Sequence, residues 1–165
     1  MFDFRYGAIA GFAHGGRLDG PGISNETMIQ GLRDRRLINR LPLMLQHELA
    51  DCIKPEDQAK VVLRIERHHK PDTYLDTNDV AAQCIECAVK NRYRTIYVLA
   101  YPILGWQFAW YLLWKEAHTR GIKVKILWSV WNIPSDPRSK QWWTRKWYGP
   151  PVYGAKRFLL GTRGK

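Results

Sequence analysis

A histidine next to a carboxylate, or next to a glycine loop, is where acid–base chemistry on an anionic ligand would start. This chain has three places of that kind. His14 leads into Gly15, Gly16 and Arg17; His47 is followed directly by Glu48; and Asp76, Thr77, Asn78 and Asp79 form one polar run. His14 and His47 are alternative general bases, with Glu48 or Asp79 as the orienting carboxylate. The glycine loop either offers backbone N–H groups to an anion, with Arg17 beside it, or simply turns the chain. Asp76 or Thr77 caps a helix, and the same polar run can contact hydroxyls or amines of a ligand.

Several familiar chemistries do not fit. Gly11 and Gly16 have the offset of a phosphate-binding P-loop, but Arg17-Leu18 replaces the Lys-Ser/Thr pair that would grip phosphate and magnesium. The histidine spacings match no metal motif, so no metal site is assigned. Cys84 and Cys87 lie within one helical pattern and have no second Cys pair at zinc-ribbon spacing, so they read as packing residues. His68 and His69 fall at a helix end and read as exposed.

The elements that must position these residues alternate. Phe4 to Ala13 reads as a buried first strand and His14 to Ile23 as a loop. A helix capped by Ser24 then runs to about Asn39 or Arg40. Leu41 to Glu48 is a second strand. Lys54-Pro55-Glu56-Asp57 starts a helix carrying Ala59, Val62, Leu63 and Glu66 and stopping before Pro71. Thr73 to Leu75 is a short third strand, followed by the Asp76 helix through about Asn91. Thr95 to Ala100 is the clearest strand. A long helix follows Tyr101-Pro102 and ends at Gly121, and Ile122 to Val130 is the fifth strand.

This order predicts a three-layer, Rossmann-like α/β sandwich with a mostly parallel five-stranded sheet, occupying residues 1–137. In such a sheet the residues just past the carboxyl ends of the strands share one edge. His14, Gly15, Gly16 and Arg17, then His47 and Glu48, then Asp76 to Asp79, then Tyr101, then Ser129 and Asn132 should therefore converge. The expected ligand is small, anionic and nucleotide-like. Arg17 and the loop amides would take its phosphate or carboxylate, and Tyr101 would stack on it. Hydrolysis or group transfer would suit the residues; so would sequestration without chemistry.

The chain has 165 residues, 45% of them hydrophobic, and a net charge of +11, which suggests an anionic partner. The charge is uneven. From Arg138 to Lys165 there are eight basic residues and no acidic one, whereas residues 1–137 are only mildly basic. In this extension Trp142, Trp143, Arg145, Lys146 and Trp147 interleave aromatics with cations, a composition that stacks on bases while neutralising phosphates. The alternative is that the aromatics pack over the sheet and the cations face solvent. The second functional reading is thus a nucleic-acid-binding accessory protein that uses residues 138–165, with one terminal helix around Tyr153 to Leu160. Trp106, Trp110 and Trp114 line one helical face, as core or as a homodimer surface. The three cysteines form no even disulfide framework, so reduced thiols and a cytoplasmic location are expected. No leader peptide is evident at Met1-Phe2-Asp3-Phe4-Arg5, and the apolar run Ile103 to Trp114 falls short of the roughly 20 residues of a spanning helix.

At Asp76-Thr77-Asn78-Asp79, followed by Ala81-Ala82 and by Thr95-Ile-Tyr-Val-Leu-Ala-Tyr101, residues 5–130 resemble the YdcF/SanA/ElyC family of bacterial α/β proteins. Thr77 matches the family threonine, Asp79 stands for its acid, Tyr101 for its aromatic, and Gly11, Gly15 and Gly16 for its glycine loop. Gln46-His47-Glu48 replaces the family's serine-glycine-glycine. Pro102 replaces a histidine, and the following helix has no arginine before Arg120. The resemblance implies a Rossmann-like sheet and a nucleotide-like ligand, with S-adenosylmethionine as the cofactor it suggests.

Overall fold

The computed structural model describes residues 5–66, 76–102, 104–128, 130, 132–139 and 145. Five parallel strands form one sheet in the order β3-β2-β1-β4-β5: β1 Gly7–Gly11, β2 Leu43–Gln46, β3 Val61–Ile65, β4 Thr95–Leu99 and β5 Lys123–Ile126. The centre is fully buried. All five residues of β1 and all five of β4 are buried, and they pair in register from Gly7 opposite Thr95 to Gly11 opposite Leu99. The two runs are apolar and continuous, as strands covered on both faces must be.

Helix α1 (Ile23–Asp34) packs Met28, Ile29 and Leu32 against Ile9, Leu43, Leu45, Tyr97 and Leu99 on one face. Helices α3 (Thr77–Lys90) and α4 (Leu104–Ala117) cover the other face. There Val80, Ala81, Cys84, Ile85, Ala109 and Leu113 meet Ala8, Ala10, Met44, Ile96 and Val98. The β1–α1–β2 connection steps one way across the sheet and β4–α4–β5 the other, on opposite faces, as a single crossover hand requires. This is the expected three-layer α/β sandwich.

Several boundaries differ from the sequence expectation. The helix expected from Lys54 is only a 3-10 turn, Pro55–Lys60, and Val61–Ile65 is strand β3. Branched residues at 61, 62 and 65 favour extended chain, and exposure alternates along them. The proline and acids began a turn as read, but nothing after them sustains a helix. The expected third strand, Thr73 to Leu75, lies outside the described residues, as does the terminal helix around Tyr153 to Leu160.

Helix α1 is capped by Gly22, not Ser24, which lies buried inside the first turn. The helix stops at Asp34, and Arg36 takes a positive φ of 54° shortly after. Strand β2 ends at Gln46, so His47 and Glu48 begin a four-residue helix, α2 (His47–Ala50). Strand β5 is also shorter than expected. Helix α4 runs into a 3-10 turn, His118–Arg120, and Gly121 closes it in the left-handed conformation, as its position after the helix predicted.

Candidate functional site at the carboxyl edge of the sheet

The strand order places β1 between β2, reached through α1, and β4, reached from the far side. The edge between β1 and β4 is therefore the topological switch point, where connections leave to opposite faces and doubly wound sheets bind their ligands. Beyond β1 the chain runs Phe12-Ala13-His14-Gly15-Gly16-Arg17, and beyond β4 it runs Ala100-Tyr101-Pro102. The two loops meet. The His14 and Tyr101 rings stack with centroids 3.9 Å apart and planes 13° from parallel.

Each member of this stack is held. The His14 backbone N–H donates to Asn25 Oδ1 at 2.8 Å, and the preceding Ala13 N–H donates to Gln46 Oε1 at 3.1 Å. The Tyr101 hydroxyl lies 2.9 Å from Ser135 Oγ. His14 Nε2 is buried and, among the described residues, has no hydrogen-bond partner. Burial lowers the His14 pKa from 6.5 to about 4, so the ring is neutral at physiological pH. A neutral ring with an unbonded buried nitrogen has hydrogen-bonding capacity left to offer.

The glycine loop is wrapped around a carboxylate of its own protein. Asp136 is fully buried, and its Oδ2 accepts from Arg17 Nε at 2.8 Å and from the Ile23 N–H at 2.9 Å. Its Oδ1 accepts from Arg17 Nη2 at 3.1 Å and from the Arg138 N–H at 3.0 Å. Burial pushes the Asp136 carboxyl up, but the Arg17 guanidinium and the two amides outweigh it and hold it below the usual carboxylate range. Gly22 is required at this point. Its φ is 87°, and a Cβ there would lie 2.7 Å from Asp136 Oδ2 and 2.8 Å from the Gly15 carbonyl oxygen. Ser24 Oγ donates to the Pro134 carbonyl at 2.7 Å, and Ser139 Oγ lies 3.5 Å from Gly16 O.

Other sequence-predicted residues are placed differently. Arg17, expected to meet a ligand anion, commits two nitrogens to Asp136. At α3 the local cap is as read: Asp76 Oδ1 accepts from the Asn78 and Asp79 N–H groups at 2.8 and 3.0 Å, and Asp79 Oδ2 accepts from the Asp76 N–H at 3.2 Å. Burial raises the Asp76 carboxyl, and the bonds from Asp79 and Asn78 more than reverse this. Thr77 is the first residue of that helix.

His47 Nδ1 and Glu48 Oε2 are 3.3 Å apart just past β2, yet neither atom has a well-formed hydrogen bond. Asn132 is exposed. Ser129, Trp142, Trp143, Lys146 and Trp147 lie outside the described residues. Arg145 is exposed and donates from Nε to the Ser139 carbonyl at 2.7 Å.

Cys84 is fully buried in the core, where desolvation raises its thiol pKa, and Cys52 is pushed up to about 12 by burial first and by Glu26 and Asp51 next. Among the described residues no three His, Cys, Asp or Glu side chains are grouped to hold a metal ion, and no helix is long and apolar enough to cross a membrane. On α4, Phe108, Tyr111 and Trp114 are exposed, and Trp114 stacks on His118 at 4.7 Å. A cleft of about 370 Å³ lined by Glu26, Gln30, Arg33, Asp51 and neighbours contains none of the predicted site residues.

Sequence reasoning missed Asp136, Ser135, Asn25 and Gln46. A carboxylate in a proline-flanked linker gives no local sign that it will cap a helix 113 residues away. Comparison with family models, curated proteins and solved structures finds no match for this chain.

Proposed function

We propose that the protein binds a small anionic, nucleotide-like molecule in the crevice between β1 and β4. The observation that carries this reading is the His14–Tyr101 stack at the switch point, with His14 Nε2 buried, neutral and unbonded. Doubly wound sheets bind ligands at this edge, and an aromatic shelf beside a polar nitrogen suits a planar heterocycle. The resemblance to the YdcF/SanA/ElyC family points the same way, with S-adenosylmethionine as one candidate. If bonds are made or broken, His47 with Glu48 is the better-suited acid–base pair, because a pKa near 4 makes His14 a weak base.

Thermal-shift titration of the full chain with nucleotides, dinucleotides and S-adenosylmethionine tests this. One compound should raise Tm with concentration, by about 2.7 kcal/mol of stabilisation at a hundredfold excess over Kd. His14→Ala should abolish that shift while the variant still melts cooperatively. A flat panel, with salt-sensitive binding of single-stranded nucleic acid instead, would overturn the crevice reading and move function to residues 138–165.

A further inference from the structure

The crevice that the proposed ligand would enter is closed. His14 Nε2 is inaccessible, Tyr101 is 6% exposed, and residues 132–139 run across this edge of the sheet. This segment contains no helix or strand; Ile133 packs into the core, and six side-chain hydrogen bonds to the glycine loop, α1 and Tyr101 attach the rest. Ser135 holds the Tyr101 hydroxyl, Ser24 holds the Pro134 carbonyl, Ser139 approaches Gly16, and Asp136 binds Arg17 together with the first amide of α1.

We propose that residues 132–139 form a latch over the switch-point crevice, pinned by Asp136, whose opening admits the ligand and releases Arg17 to meet its anionic group. This rests on the crevice being the binding site, and it deepens that reading by assigning its control. The construction fits a latch better than a fixed wall. A segment held by side-chain contacts without backbone ladder pairing opens at lower free energy than a paired strand. Its main pin is also an acid–guanidinium pair that an incoming anion can replace chemically. Arg17 thus has two partners in turn, the internal carboxylate when closed and the ligand when open.

The test needs no ligand. Diethyl pyrocarbonate carbethoxylates neutral imidazole, and peptide mapping by mass spectrometry resolves His14 from the exposed His118, an internal reference. In the wild-type chain His14 should react at least tenfold more slowly than His118. Asp136→Ala should raise the His14 rate at least tenfold and leave His118 unchanged. An unaltered His14 rate in a folded Asp136→Ala chain would overturn the latch.

Amide exchange in the wild-type chain covers the case in which that variant does not fold. The Ile23, Arg138 and Ser139 amides should exchange at least a hundredfold faster than those of Ile9 and Val98 in the central strands. Exchange of both groups at one common, globally limited rate would show that the segment does not open by itself. Both readouts are independent of the ligand panel, so a flat panel with a working latch and a bound compound with a fixed segment are separate results.

Discussion

Among the described residues, the N-termini of helices α1 and α3 are both bound by carboxylates, and they acquire them in opposite ways. Helix α3 is capped by its own neighbourhood: Asp76 and Asp79 bond each other's backbone within four residues. Helix α1 has a glycine at the capping position and no side-chain cap of its own; its first amide goes to Asp136, far along the chain. The first arrangement forms as soon as the helix nucleates. The second exists only once the sheet has assembled and the chain beyond β5 has returned to the glycine loop. A local cap reports on one helix, whereas a distant one ties a loop, a helix and a late segment into a single unit.

The comparison predicts unequal sensitivity. Asp136→Ala should lower the unfolding free energy by about 4 kcal/mol in a denaturant titration, because it strands two amide donors and a guanidinium together. A loss below about 1 kcal/mol would mean the distant cap is no stronger than the local one. Gly22→Ala tests the same junction from the backbone side. The left-handed φ and the oxygens at 2.7 and 2.8 Å should make it destabilising by about 3 kcal/mol, readable as a lowered Tm.

Acid should act on the two regions in different pH windows. The folded-state pKa of His14 is about 4, below its ordinary 6.5, so the unfolded chain takes up that proton first. Stability is therefore complete above pH 6.5 and falls between 6.5 and about 4, by roughly 3 kcal/mol. His14→Phe should flatten that part of the stability–pH curve and leave the loss at lower pH. That second loss belongs to Asp136 and Asp76. Their folded pKa values are depressed, so their contribution is present above the ordinary carboxylate range and lost as pH falls through it. The smallest effect should come from Asp76→Ala, about 1 kcal/mol for a lost cap, with amide exchange quickened only in the first turn of α3. If that change also loosened residues 132–139, the two caps would be coupled rather than separate.

Much of the fold was legible because the signals that specify it are local. The apolar runs of β1 and β4, the glycine loop between β1 and α1, the cap at Asp76 and the stop at Gly121 are each written within a few residues. Strand β3 stands where the sequence suggested helix, for a physical reason as well. A proline followed by acids is a sound helix start, but the branched residues after it pair better in a sheet edge than they would pack in a helix. Arg17 shows the corresponding limit at the site. Its place beside the glycine loop was readable, but its partner was not.

The alternation of strands and helices, and with it the layered class and the residues available to one sheet edge, was determined by the sequence alone, because hydrophobic period and capping act over a single turn or strand. Tertiary structure decided which edge contributors meet. It laid Tyr101 on His14, left Nε2 without a partner, and brought Asp136 back over Arg17 and the start of α1. Strand order and the return path of the chain fix those distances, and both follow from packing the whole sheet, which no short window of sequence contains.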